Sequence, residues 1–121
     1  VALAHARPGQ VIDIAPLGAA LRESASHAIL KTHALELMRV VLRAGEALPP
    51  HSVYGESTLL CIEGVVSVDM AAEGRCELRP GQLLLLPALA QHAIRAQEDA
   101  SLLRTVQLPP GLPGSGSSTT A

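Results

Sequence analysis

The chain is 121 residues long, 48% hydrophobic, and carries a formal net charge of -2. With no Trp, no Phe and one Tyr it lacks the aromatic platform that stacks bases or sugars, and its singly scattered basic residues lack the footprint of a nucleic-acid binder. The length suits one domain whose single core has to be filled by Val, Leu, Ile and Ala.

Residues 1–15 read as a loosely held arm that ends in a short apolar edge strand at 11–15. Residues 16–24, PLGAALRES, place proline near the start of apolar residues at helical spacing, which predicts one or two helical turns. A short strand follows at 28–31. At 35–43, LELMRVVLR, helix and strand patterns both fit, and the nine-residue length with the Ala44-Gly45-Glu46 turn behind it favours strand. Pro49 and Pro50 then hold the chain extended in front of His51, because each ring fixes φ and restricts the preceding residue.

Strands are expected at 58–62 and 65–70, on either side of a tight bend or bulge at Glu63-Gly64. A hairpin loop at 71–74 leads to a returning strand at 75–79 and a Pro80-Gly81 turn. Residues 83–86 are apolar on both faces, as in a central strand or one covered by a second subunit. Strands at 92–96 and 101–108 bring the count to eight or nine, the pattern of an all-β sandwich or barrel. The organisation is an arm with a short helix at 1–27, a barrel at 28–108 and a flexible Pro/Gly/Ser tail at 109–121.

No run is long enough to span a bilayer, and the opening VALAHARPG lacks the pattern of a signal peptide, so a cytoplasmic protein is expected. Cys61 and Cys76 have neither CxxC nor zinc-knuckle spacing and read as reduced, mostly buried thiols. Met38 and Met70 read as core residues, and His5, His27 and His33 as surface ones.

Two stretches organise the rest: 45–64, GEALPPHSVYGESTLLCIEG, and 79–92, RPGQLLLLPALAQH. Each is a strand unit punctuated by glycine and proline and carrying one histidine, a plausible way to bring imidazoles together in a small β-barrel. Gly45, His51 and Gly64 in the first, with Gly81, Pro87 and His92 in the second, stand at the spacing of the paired motifs of the cupin family, which the chain resembles. The resemblance implies a jelly-roll, double-stranded β-helix barrel in which one divalent metal is held by three histidines and a glutamate. Four motif positions depart: Val53 stands for the second histidine, Ser57 for the glutamate with Glu56 one residue early, Leu89 for a glycine and Ala96 for an asparagine. Because the family spans dioxygenases, isomerases, decarboxylases, sugar-binding regulators and storage proteins, the resemblance chooses no activity.

The candidate metal ligands are His51, His92 and Glu56, two imidazoles and a carboxylate that would make a facial triad for Fe, Zn, Ni or Mn with open positions. Strand parity decides Glu56: it turns inward only if Tyr54-Gly55 makes a loop or bulge, and otherwise Ser57 faces in. Tyr54 either lines the pocket mouth and donates a proton or lies on the surface. Arg39 and Arg104 sit in apolar strands, where each needs an exposed face or a buried acidic partner, and an inward arginine would suggest an anionic ligand. Two functions stay open, a metal-dependent enzyme acting on a small organic molecule and a metal-free small-molecule-binding or regulatory module whose apolar pocket is walled by Val53. A homodimer is expected for either, covering the strand at 83–86 and the arm.

Overall fold

The computed structural model describes residues 5–110, with His51 described in its backbone only. A short 3-10 helix, Gly18–Glu23, precedes nine strands: β1 His27–Lys31, β2 Leu35–Leu42, β3 Ala47–His51, β4 Ser57–Glu63, β5 Val66–Met70, β6 Gly74–Leu78, β7 Leu83–Leu86, β8 His92–Ala96 and β9 Ala100–Gln107. They form two antiparallel sheets, ordered β1-β2-β9-β4-β7 and β3-β8-β5-β6. Strands cross repeatedly from one sheet to the other, and the result is a jelly roll.

Alternation builds the interior. Val40 and Leu42 of β2, Leu59 and Cys61 of β4, Val66 and Val68 of β5, Leu86 of β7, Ile94 of β8 and Leu102 of β9 are all buried in one cluster between the sheets. The aliphatic filling follows from the composition, since the one aromatic residue, Tyr54, is 66% exposed. Each such side chain contributes about 1.5–3 kcal/mol on burial. Both cysteines are free. Burial pushes the Cys61 thiol up, and its Sγ contacts the Glu63 and Gly64 carbonyls at 3.6 and 3.4 Å.

The strand expected at 11–15 does not form. The backbone there and just beyond is satisfied by side chains instead of a ladder. Arg39 Nη1 donates to the Ala15 carbonyl at 3.2 Å, and the Leu17 and Gly18 amides donate to Glu63 at 2.8 and 3.0 Å. A strand forms at β3 in its place, where the prolines were expected only to stiffen the chain. It is an edge strand, and its register on β8 is irregular between Leu48 and His51, so the two missing N–H groups cost little. β7 is also an edge strand. Leu86 is buried, whereas Leu83 and Leu85 are 63% and 57% exposed on the face where a partner was expected. No helix among the described residues is long and apolar enough to cross a membrane.

Glu63 fastens the arm. Its carboxylate also accepts from Ser101 Oγ at 2.5 Å, and Arg39 Nη1 lies 3.5 Å from the same hydroxyl. Burial alone would raise this carboxyl, but the hydrogen bonds from Ser101, Leu17 and Gly18, with the Arg39 charge, outweigh it and hold the group below its ordinary 4.5. A carboxyl lowered in the folded state stabilises that state at pH above its unfolded value and loses the contribution as pH falls through the folded one. Acidification below 4.5 is therefore expected to loosen the arm before the barrel. Hydrogen exchange at the Leu17 and Gly18 amides measures it: Glu63→Gln should exchange faster at neutral pH and show a flatter acid dependence. Unchanged protection in that variant would remove Glu63 as the fastening.

Candidate functional site

The inner face of the larger sheet is not wholly apolar. Register places Glu36 of β2 and Ser57 of β4 on either side of Val106 of β9, with Leu86 of β7 beyond Ser57. One step along the barrel, Met38 and Leu59 flank Arg104 in the same way. Glu36, Ser57 and Arg104 are 1%, 2% and 2% exposed. The sequence reading missed Glu36, although it has the parity of Val40 and Leu42 on β2, which marks it as inward.

His92 opens β8 in the facing sheet and is 1% exposed. Its ring meets the Arg104 side chain of the larger sheet. Nδ1 lies 3.2 Å from the Ala90 carbonyl, and Nε2 lies 2.9 Å from Arg104 Nη2. A carbonyl only accepts and a guanidinium only donates, so these partners assign the proton to Nδ1 and leave the Nε2 lone pair facing Arg104. Arg104 is held in low dielectric, and burial lowers its pKa from the arginine value.

Parity settles where the other candidates lie. Val53, Gly55, Ser57, Leu59 and Cys61 are buried, while Tyr54 and Glu56 between them are exposed. The chain does bend at Tyr54-Gly55, but the bend tucks Gly55 against Gln107 rather than turning Glu56 inward. A Cβ at Gly55 would overlap the Gln107 carbonyl oxygen, and the Gln107 amide in turn donates to the Glu56 carbonyl at 2.9 Å. Glu56 thus presents its side chain away from His92, and the inward position next to it holds the Ser57 hydroxyl. His51 is paired opposite His92 in the β3–β8 register. No group of three or more His, Cys, Asp or Glu suited to a metal ion occurs among the described residues.

Arg39 is buried on the other side of the larger sheet, with Glu63 as its acidic neighbour. Arg104, expected to need an exposed face or a buried acidic partner, is buried and its Nη2 meets His92 Nε2. Leu89, which stands at a glycine position of the resembled motif, has a left-handed backbone with φ 62 and is 65% exposed at the turn before His92. Ala96 is buried among the apolar residues of the interior.

A groove of about 290 Å³ lies elsewhere, on the outer face of the smaller sheet. It is lined by Pro49, Pro50, Ser67, Asp69, Arg75 and Arg95 among others. Its polar groups already have partners: Arg75 pairs with Asp69 at 3.7 Å, Arg95 donates to the Gly45 carbonyl, and Ser67 accepts from Gln97. In the interior, by contrast, buried Glu36 Oε1 and Ser57 Oγ have no hydrogen-bond partner. Chemistry therefore points to the interior and not to this groove.

No sequence-family profile matches the chain, and no curated protein matches it. Solved structures do. A cupin superfamily protein from Desulfitobacterium hafniense DCB-2 superposes with a TM-score of 0.69 at 20% identity, over 84% of this chain and 98% of that one. A conserved protein of unknown function from Streptococcus pyogenes gives 0.69 at 18% identity, over 92% and 97%. KdgF from a Halomonas species gives 0.62 at 20% identity, over 73% and 81%. At these identities the likeness is one of fold.

Proposed function

Since this chain is a small cupin-fold protein, we propose that its barrel interior is a metal-free binding site for a small organic anion, held by Arg104. The 2.9 Å contact between Arg104 Nη2 and His92 Nε2 carries this reading. A ligating imidazole gives its lone pair to the metal, whereas here that lone pair already accepts from a guanidinium, and a second cation beside it would be repelled. Val53 offers no donor atom, and Glu56 is exposed. These residues do not suit a resident metal. A buried guanidinium is costly in low dielectric, and its planar fork matches a carboxylate, so an anionic occupant would offset the cost.

The metal-dependent enzyme keeps one supporting observation, the register of His51 opposite His92. Plasma mass spectrometry on protein purified without chelator, run beside thermal shifts with acetate, propionate and butyrate, separates the two. The expected result is far less than one metal per chain and a carboxylate-induced rise in melting temperature that disappears in Arg104→Met. Stoichiometric metal that is lost in His92→Gln, or no response to any carboxylate, overturns the proposal.

A further inference from the structure

Arg104 accounts for only one end of the polar interior. Glu36 and Ser57 lie in one row across β2, β9 and β4 with Val106 between them, and each ends in a buried oxygen that has no partner. Arg104 is two residues before Val106 on the same face, diagonal to both and about 7–8 Å away between Cα atoms. A buried acceptor without a donor bears its full desolvation cost. The in-row neighbours Val106, Leu86, Met38 and Leu59 offer no donor, and neither oxygen is hydrogen-bonded to the Arg104 guanidinium diagonal to them.

Resting on the anion site just described, we propose that the ligand is a small hydroxy- or amino-carboxylic acid. Its carboxylate meets Arg104, and its hydroxyl or ammonium group donates to Glu36 Oε1. The Ser57 hydroxyl can both donate and accept, so it serves whichever ligand group lies nearer. A plain monocarboxylate satisfies Arg104 and leaves Glu36 as it was. A dicarboxylate brings a second acid toward Glu36 and is disfavoured. Sites built to hydrogen-bond a ligand hydroxyl discriminate against the analogue that lacks it, since the protein group is then left unpaired.

Calorimetric titration with shape-matched pairs tests this: propionate against glycolate, isobutyrate against lactate, isovalerate against 3-hydroxybutyrate, and valerate against 4-aminobutyrate. In at least one pair the hydroxylated or aminated member is expected to bind about tenfold tighter or more. That preference should vanish in Glu36→Leu, which still binds the plain carboxylate. Glu36→Gln keeps an acceptor oxygen and should retain the preference for hydroxyl but not for ammonium, a check that stands even if the leucine variant folds poorly. Equal binding within every pair, or a preference that survives in Glu36→Leu, overturns the hydroxy- or amino-acid assignment while leaving the Arg104 anion site in place. Absence of any Arg104-dependent carboxylate binding overturns both.

Discussion

Replacing Gly64 with alanine is expected to lower the unfolding free energy by about 3–5 kcal/mol, much of the total for a chain of this size. Two costs combine. Gly64 has φ 79, where an added Cβ costs about 1–2 kcal/mol. That Cβ would also overlap the Asp99 carbonyl oxygen and lie 2.7 and 2.8 Å from the Cα and Cβ of Ala100. Both obstacles belong to backbone at the start of β9, and Ala100 is fully buried, so neither can step aside cheaply. Gly81 is the control: with φ 86 and nothing within 4 Å of its added Cβ, Gly81→Ala should show the backbone term alone. Urea midpoints decide, and equal losses at the two glycines would show that the contact with β9 contributes nothing.

The pair His92 and Arg104 should behave oppositely alone and together. His92→Leu removes a buried acceptor of the guanidinium, and about 3 kcal/mol of stability is expected to go with it. The double variant His92→Leu, Arg104→Met replaces both polar groups by apolar ones of similar size and should recover most of that loss, since removing both partners of a buried hydrogen bond is nearly neutral. It should also be unable to respond to carboxylates. A double-mutant cycle by denaturant unfolding gives the coupling. Recovery of stability with loss of binding marks the pair as kept for its ligand. A double variant as unstable as the single one would make the contact structural instead.

The strands were legible because buried and exposed residues alternate cleanly along them. Val66, Val68 and Met70 of β5, and His92, Ile94 and Ala96 of β8, are buried as their spacing implies. Local pattern failed where pairing depends on distant partners. The apolar residues of 11–15 resemble an edge strand, yet the backbone groups next to them are taken by Glu63 and Arg39, far along the chain. Pro49 and Pro50 argue against a strand unless the strand is known to lie at an edge, which only the assembled sheet reveals. The position of Glu56 was a question of parity with both answers stated, and the alternation running from Val53 to Cys61 answers it. Glu36 was readable from its spacing to Val40. The contact between His92 and Arg104 was not, because it joins two sheets.

β9 is the last in sequence of the described strands and the middle one of its sheet, bonded to β2 on one side and to β4 on the other. During synthesis, then, β2 and β4 have no common neighbour until Gln107 has left the ribosome. Until that point the edges of β2 and β4 that β9 will bond stay unpaired, and the growing chain has to be kept from associating through them. Closure is a late, non-local event, so folding should be slow for the chain's length and should fail altogether in fragments that stop short of β9.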